Sequence, residues 1–397
     1  MLCLASYEKG HEFLRQCKRD GCRVLLLTSK SLENKARWPR ECIDEIYYIP
    51  DIEKEWNMTD VVNGVSYLAR TEQIDRIVAL DDFDVEKAAA LREHLRIAGM
   101  GDTTARYFRD KLAMRTKAAS AGIRVPSFVH ILNYANLKDF MRSIPPPYVL
   151  KPRLQAGAIG IRKIESPEQL WKTLDELGDK QSFYLLERFI PGSVYHVDSL
   201  IWFGQVLLSI AHCYGLPPME VAHEGRVFSS RTLLRGSHED GELQLLNRHV
   251  LSCLGLVQGV SHTEFIRSSA DGHFYFLETS ARVGGAHISE LVEASTGLNL
   301  WAEWARIEIA DPEIGYTLPP HKENYAGLLI SLARQEWPDL STYNAPEIVW
   351  KLQKRHHAGL IVGSPDFNRV DQLLREYTQR FYNEFFTSQP LPEKPPD

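Results

Sequence analysis

Short apolar runs alternate with helical stretches along the N-terminal part of the chain. Runs such as LCLAS (2–6), RVLLLTS (23–29), EIYYIP (45–50) and IDRIVALDD (74–82) have the length of buried strands. The stretches HEFLRQCKRDG and DVEKAAALREHLRIAG predict helices between and after them. Because strands that alternate with helices build parallel βαβ units, residues 1–103 are predicted to form a small doubly wound α/β domain.

A different order of elements follows residue 103, with antiparallel strand pairs. TARYFRDKLAMRTKAASAG (104–122) and ISELVEASTGLNLWAEWARIEIA (288–310) predict helices. GVSHTEFIRSSADGHFYFLETSARVGG (259–285) predicts a hairpin that turns at Asp271-Gly272. The chain ends with a predicted helix and a Pro-rich tail, SQPLPEKPPD (388–397), which is expected to fray. The fold class is therefore predicted as α/β combined with α+β.

Composition limits the classes of function. The hydrophobic content of 44% and the charged content of 25% are those of a globular protein, and the net charge of −6 argues against a general binder of nucleic acid or anionic membranes. The six cysteines form no CxxC pair, so free thiols in a reducing compartment are expected. We see no secretion signal and no apolar run of the ~20 residues that a membrane helix needs, so a cytoplasmic location is expected.

The hairpin carries the first candidate chemistry. Glu264 lies on its first strand and Glu278 on its second, so the two carboxylates can approach each other across the sheet. Facing carboxylates repel unless a cation lies between them, and Mg²⁺ prefers such oxygen ligands. Ser280 and Arg282 share the face of Glu278, because side chains alternate along a strand. Ser280 could add an oxygen ligand, and Arg282 could hold an anion beside the metal. The alternative is a surface hairpin with solvated acids.

Two further segments have the composition of a nucleotide site. In VLKPRLQAGAIGIRK, Lys151 ends an apolar strand, and Gly157 and Gly160 permit a tight loop whose N–H groups can face phosphate. In LLERFIPG, Glu187 ends an apolar strand whose backbone could meet a purine edge while the acid binds a ribose hydroxyl or an adenine amine. Each has an ordinary alternative: a plain hairpin turn in the first case, and an edge strand with a surface glutamate in the second.

The order of these segments resembles the ATP-grasp superfamily. The resemblance covers roughly residues 1–310 and is carried by RDKLAMRTKAASAGIRVPSF, VLKPRLQAGAIGI, ERFIPGSVYHVDSLI, GVSHTEFIRS and FLETSARVGGAHISELVEASTGLNL. It implies a biotin-carboxylase-like architecture: a pre-ATP-grasp domain (1–103), an ATP-grasp domain (104–310) with a small nucleotide-covering subdomain (about 124–188), and a C-terminal lid or dimer segment (311–397). The SARVGGAH pattern is most similar to the branch of amino-acid ligases and other carboxylate–amine ligases.

The resemblance also implies roles for individual residues. ATP would be bound by two lysines that reach its phosphates, by a glycine loop that closes over them, and by a segment that holds the nucleoside, with a histidine on the ribose side: Lys111, Lys151, Gly157, Gly160, Glu187, Arg188, Phe189, Ile190 and His196. Mg²⁺, or Mn²⁺ as an alternative, would be bound by Glu264, Glu278 and Ser280. Arg282 and Lys151 would be catalytic, with Arg282 steadying the transferred phosphate or the acyl phosphate.

Two departures from the family pattern bear on the activity. Many members have Asn at the position of Ser280, and biotin carboxylases have a glutamate at the position of Ala286. The first hypothesis is therefore an ATP-dependent ligase that converts a small carboxylate into an acyl phosphate and then into an amide or peptide, releasing ADP and phosphate. A biotin-carboxylase-like or carbamoyl-phosphate-like enzyme that activates bicarbonate is the alternative, and a non-catalytic nucleotide-binding module is the third.

The expected partners are small-molecule carboxylates and amines, with no nucleic acid and no membrane, and a homodimer is left open. Loops at 7–10, 80–84, 214–236 and 284–290 are expected to set substrate choice. The scattered histidines, His262 among them, are interpreted as structural, with His287 as the best exception.

Overall fold

The computed structural model describes residues 1–52 and 55–388, so the predicted Pro-rich tail lies almost entirely outside the described residues. A parallel sheet in the order β3-β2-β1-β6 forms the N-terminal domain, as predicted. Its strands β1 and β2 are buried along their whole length because helices cover the sheet. The elements are β1 Leu2–Ala5, α1 His11–Arg19, β2 Leu25–Ser29, β3 Glu45–Ile49, β4 Asp51–Ile52, β5 Glu55–Trp56, α2 Met58–Leu68, β6 Ile77–Ala79 and α3 Val85–Leu95.

Two helices of the sequence prediction are each broken in the structure. The stretch 104–122 forms α4 (Asp102–Arg106) and α5 (Lys111–Ser120), because the side chain of Asp110 accepts a hydrogen bond from Leu112 N and starts a new helix. The stretch 288–310 forms α10 (Ile288–Thr296) and α11 (Leu300–Ile309), which restarts after the cap residue Asn299. In both cases a local capping residue overrides a continuous helical pattern.

A small antiparallel sheet in the order β7-β10-β8-β9 lies within the segment (about 124–188) for which a nucleotide-covering role stays a prediction. Two helices pack on one face of the sheet, where Leu170 of the second helix meets Leu150 and Leu186 of the strands in a common core. This segment comprises β7 Phe128–His130, α6 Tyr134–Ser143, β8 Tyr148–Pro152, β9 Arg162–Ile164, α7 Pro167–Leu177 and β10 Tyr184–Arg188.

The remaining strands form one antiparallel sheet of eight, in the order β15-β14-β11-β12-β13-β16-β18-β17. The hairpin predicted around Asp271-Gly272 is its edge pair, β14 and β15. The elements are β11 Gly192–Trp202, β12 Gln205–Tyr214, α8 Pro218–Glu224, β13 Phe228–Thr232, α9 His238–Leu254, β14 Gly259–Ser268, β15 Phe274–Ser280, β16 Tyr325–Leu332, β17 Ile348–Lys351, β18 His357–Ser364 and α12 Phe367–Glu384, with α10 and α11 between β15 and β16.

The C-terminal segment is part of this large sheet. β16 pairs with β13, and α12 buries Leu374 and Phe381 against Leu329 and Leu360 of the sheet. On the other face, Leu200 and Leu328 join a core that reaches Leu26 of the N-terminal domain. The role of residues 311–397 as a lid or dimer element stays a prediction, but three of the strands in that segment extend the sheet that carries the hairpin.

All six cysteines are free thiols, as predicted. Cys3 and Cys17 are fully buried, whereas Cys22 is partly exposed. Among the described helices, none combines the length with the apolar content that crossing a bilayer requires.

Cys22 is expected to be the most reactive of these three thiols. A hydrogen bond from Cys17 lowers the pKa of Cys22, which raises its thiolate fraction near pH 7, while burial raises the pKa of Cys3. Iodoacetamide at pH 7.5 should therefore alkylate Cys22 before Cys3 or Cys17, as followed by peptide mass spectrometry. The Cys17→Ser variant is the control for the environment of Cys22, and faster labelling of Cys3 would contradict the expectation.

Candidate active site

A cavity of about 230 Å³ lies between the small sheet and the edge hairpin of the large sheet. Lys151 of β8 and Glu187 of β10 line one side, and Glu264 of β14 and Glu278 of β15 line the other. A cleft with apolar walls and a few convergent charged groups is the usual form of a small-ligand site. Its apolar and glycine lining includes Val149, Gly157, Ile190, Val194, Met219, Ile266 and Leu277.

Three charged side chains form a buried ion-pair cluster at the small-sheet wall. Glu187 is 1% exposed and accepts from Arg115 Nε at 2.6 Å, and its other oxygen lies 2.8 Å from Lys151 Nζ. Burial alone would raise the pKa of Glu187, but Arg115 and Lys151 outweigh it and hold that pKa below its usual value. Because both carboxylate oxygens are engaged, the geometry favours a role for Glu187 in orienting Lys151, and the predicted contact of Glu187 with the nucleoside stays a prediction.

The segment after Glu187 borders the same cavity. Arg188, Phe189 and Ile190 all line it, and their predicted role in holding the nucleoside stays a prediction. The N–H of Arg188 donates to Ser127 O, and the N–H of Phe189 donates to Pro147 O. Fewer backbone N–H groups are therefore available to a purine than the sequence suggests. The backbone groups available to it are mainly carbonyl oxygens.

The glycine loop stands at the mouth of the cavity. Gly157 and Gly160 have φ of +65° and +72°, values that favour glycine, and a Cβ on Gly160 would lie 2.8 Å from Pro152 Cγ. Lys111, the first residue of α5, donates to Gln155 O of this loop at 2.7 Å. The loop and the N-terminus of α5 are thus tied together beside the cavity.

The two glutamates of the hairpin face each other as predicted: Glu264 and Glu278 are direct cross-strand partners. Lys111 Nζ lies 3.0 Å from Glu278 Oε2, so the lysine predicted to bind phosphate contacts the acid predicted to bind metal. Ser280 pairs across the strands with His262, one position further along the same face. Tyr214 donates to Glu264 Oε1 at 2.9 Å.

This donor set fits a hard divalent cation. Two carboxylates on neighbouring strands, with a hydroxyl nearby, offer the oxygen ligands that Mg²⁺ and Mn²⁺ prefer. Tyr214 and His262 both contact Oε1 of Glu264, and within the described part of the chain no hydrogen bond or ion pair reaches its Oε2. The residues that would hold the ion are therefore Glu264 and Glu278, with Ser280 as a weaker candidate.

Arg282 is anchored to the N-terminal domain. Its Nε donates to Asp82 Oδ2 at 2.7 Å, and its Nη1 donates to Val283 O at 2.7 Å. Burial works to lower the pKa of Arg282, but Asp82 outweighs it and raises that pKa, so the guanidinium stays charged. The segment 80–84 was predicted to help set substrate choice, and the structure brings its Asp82 into direct contact with Arg282.

The structure corrects the prediction for His196. This residue is 0% exposed, does not line the cavity, and bonds to Asp198 at 2.7 Å and to Ser230 at 2.7 Å. His196 is therefore not a candidate for contact with the ribose. Asp198 also lies 2.8 Å from His262 Nδ1, and the His196 ring stacks on His212.

The buried histidines have opposite electrostatic environments. Burial lowers the pKa of His196 to about 3, despite its contact with Asp198. Burial also acts to lower the pKa of His262, but Asp198 and Glu264 outweigh it and raise that pKa to about 10. His262 is therefore the charged partner of Asp198, and His196 is a neutral hydrogen-bonding ring.

Comparison with protein families agrees with this geometry. Residues 144–290, which include both walls of the cavity, match the model of the ATP-grasp domain. The chain carries an ATP-grasp domain. The predicted ATP-grasp domain is thereby confirmed over residues 144–290.

Relatives of this chain include proteins named as amino acid ligases. An L-arginine-specific L-amino acid ligase from Bacillus subtilis is 26% identical over 278 residues, which is 68% of this chain and 66% of that ligase. A D-alanine–D-alanine ligase from Ectopseudomonas mendocina is 25% identical over 233 residues, which is 56% of this chain and 72% of that ligase. The aligned region thus spans about two thirds of these relatives.

A solved structure shares the fold over almost the whole chain. An L-amino acid ligase from Bacillus licheniformis superposes with a TM-score of 0.77 at 17% identity, covering 98% of both chains. This likeness confirms the predicted fold class, α/β combined with α+β.

Sequence reasoning missed several residues of the ATP-grasp site. Arg115 lies four residues after Lys111, one helical turn along α5, and that spacing could have placed it near the same cavity. Asp198 lies two positions after the predicted His196 on β11, and His212 and Tyr214 occupy alternate positions on the paired strand β12, a pattern that indicates a polar face. The pairing of Asp82 with Arg282 joins residues 200 positions apart and has no local signal.

Proposed function

We propose that this chain is an ATP-dependent carboxylate–amine ligase that activates an amino acid or similar small carboxylate and joins it to an amine. One observation carries the proposal: the facing pair Glu264 and Glu278 lines the cavity, and Lys111 Nζ lies 3.0 Å from Glu278 Oε2, so two candidate metal ligands and a candidate phosphate-binding lysine are neighbours. The named relatives are amino acid ligases, which supports amino acids as the substrate class. ATP is the expected phosphate donor.

The first step would transfer a phosphoryl group. A carboxylate oxygen of the substrate attacks the γ-phosphorus of ATP, the bond to the bridging oxygen breaks, and ADP leaves. Lys151 and Lys111 would offset the negative charge that spreads over the phosphate oxygens. A divalent cation held by Glu264 and Glu278 would supply further charge neutralisation when bound.

The second step would form the carbon–nitrogen bond. The amine attacks the carbonyl carbon of the acyl phosphate, the carbon–oxygen bond to phosphate breaks, and inorganic phosphate leaves with the electron pair while the nitrogen releases one proton to the phosphate or to solvent. The tetrahedral oxyanion needs a nearby cation, and Arg282, held in place by Asp82, is our candidate. The glycine loop over the cavity would limit hydrolysis of the acyl phosphate by water.

Bicarbonate activation fits less well. The chain has Ala286 where biotin carboxylases place a glutamate, and the named relatives are amino acid ligases. Ala286 and His287 both have positive φ, +50° and +62°, so this turn has its own constrained shape after Arg282.

The test is a substrate screen with product identification. Purified protein with ATP and Mg²⁺ is mixed with L- and D-amino acids, singly and in pairs, and with bicarbonate plus biotin. Phosphate release and the mass of any new dipeptide are measured against the Glu278→Gln variant as background. We expect phosphate release that depends on a specific pair and yields one dipeptide for each phosphate. Release with bicarbonate and biotin alone, or none with any pool, would overturn the ligase assignment for free amino acids.

A further inference from the structure

A buried polar cluster lies directly behind the candidate metal ligands, and the proposed reaction does not use it. His196 and Asp198 on β11 share one face of the large sheet with their cross-strand partners, His212 on β12 and His262 on β14. His196 is also the cross-strand partner of Glu264. The cluster therefore continues the face of Glu264 and Glu278 into the interior of the protein.

A chain of contacts links this cluster to Glu264. Asp198 Oδ1 lies 2.8 Å from His262 Nδ1, which leaves His262 Nε2 turned toward Glu264 Oε1 at 3.6 Å. Tyr214 donates its hydroxyl to the same Oε1 at 2.9 Å and lies 3.4 Å from His262 Nε2. Two groups from two different strands thus meet at one oxygen of one carboxylate.

We propose that Tyr214 and His262, the latter oriented by Asp198, are positioning residues that fix Glu264 through Oε1 and leave Oε2 available to the divalent cation. This inference rests on the proposed function, because it assumes that Glu264 is a metal ligand. A free glutamate samples several rotamers, and outer groups that restrict a ligating carboxylate favour binding of the metal.

The same contacts argue against a second metal inside the cluster. The separations of 2.7 Å between Asp198 and His196 and of 2.8 Å between Asp198 and His262 are hydrogen-bond distances. Ligand atoms around a tetrahedral zinc, each about 2.0–2.1 Å from the ion, stand about 3.3 Å apart. Ser230 bonds the other nitrogen of His196, and His212 stacks on the His196 ring with centroids 4.6 Å apart. The cluster is therefore assigned as a hydrogen-bonded support.

The test measures metal binding without turnover. Mn²⁺ is titrated into the full chain with a non-hydrolysable ATP analogue, and free Mn²⁺ is followed by electron paramagnetic resonance. Tyr214→Phe removes one hydroxyl at constant shape, and His262→Gln removes the imidazole. Each variant is expected to weaken Mn²⁺ binding about 10-fold, the lower end of the range for such outer partners. Metal-free binding of the analogue should be unchanged.

The matched control is Tyr343→Phe. Tyr343 is also buried and also donates to a glutamate, Glu384, at 3.0 Å, but it lies in the core beneath α12. A loss of fold would lower the melting temperature, whereas a positioning role changes Mn²⁺ affinity at a constant melting temperature.

Three results would overturn the proposal. The first is that the Tyr214→Phe variant binds Mn²⁺ as tightly as the wild-type protein does. The second is that the wild-type protein with nucleotide does not bind Mn²⁺. The third is stoichiometric zinc in the purified wild-type protein that is lost in Asp198→Asn. The titration contains no carboxylate or amine substrate. Its result on metal binding can therefore be interpreted even if the substrate screen finds no substrate.

Discussion

The Glu278→Gln variant is expected to lose on the order of 10³-fold in kcat/KM, because the change removes one of the two facing carboxylates and leaves the shape of the side chain. Glu278 Oε2 also lies 3.0 Å from Lys111, so the change replaces this ion pair by a contact between the lysine and a neutral side chain. Glutamine can still accept from the lysine, which keeps the fold. The rate is measured as phosphate release with the substrate pair that the screen identifies.

The control for this variant is Glu165→Gln. Glu165 is an exposed acid after β9 that pairs with Lys163 at the surface, at 2.9 Å, and its loss should change the rate less than about twofold. Melting temperatures of both variants should match the wild type. If the Glu278→Gln protein retains more than a tenth of the wild-type rate, Glu278 does not have the proposed role in the reaction.

The Arg115→Met variant is expected to have the largest effect on stability. Arg115 is 0% exposed and pairs with Glu187 at 2.6 Å, so its removal leaves a buried carboxylate that has lost one of the two cations beside it. Breaking one side of a buried ion pair costs about 3–5 kcal/mol. For a domain of about 150–250 residues, the melting temperature should then fall by roughly 6–20 °C, measured by circular dichroism.

Two companion variants separate charge from packing. In Arg142→Met, an exposed arginine loses its surface partner Asp139, and the change should stay within about 0.5 kcal/mol. The double variant Arg115→Met/Glu187→Gln removes the unpaired charge and should recover part of the lost stability. If the double variant is less stable than Arg115→Met alone, the destabilisation comes from packing and not from the buried charge.

The sequence predicted the parts of the site that depend on local geometry. The cross-strand pairing of Glu264 and Glu278 followed from a hairpin whose turn was visible in the sequence, and the structure has that register. The cavity likewise brings Lys151 and Gly157 together with the strand of Glu187, as the order of motifs indicated. The alternation of side chains along a strand and the choice of turn residues are local properties. They can therefore be predicted from the sequence before the fold is known.

The remaining features depend on contacts between distant segments. His196 was assigned to the ribose side from family resemblance, yet it points into a buried face where β12, β13 and β14 supply its partners. The partner of Arg282 comes from the loop after β6, in another domain. No pattern within either segment indicates which of several acids will be the neighbour, because that depends on how the N-terminal sheet packs on the large one.

The continuity of the eight-stranded sheet bears on how the chain can be shortened. β13 stands between β12 and β16, so a protein that stops before Tyr325 would present the free backbone groups of β13 to solvent. Bare strands of this kind invite pairing with other molecules and aggregation. A crystallographer or protein engineer who trims the C-terminal segment as a dispensable appendage would therefore be cutting through the middle of a sheet.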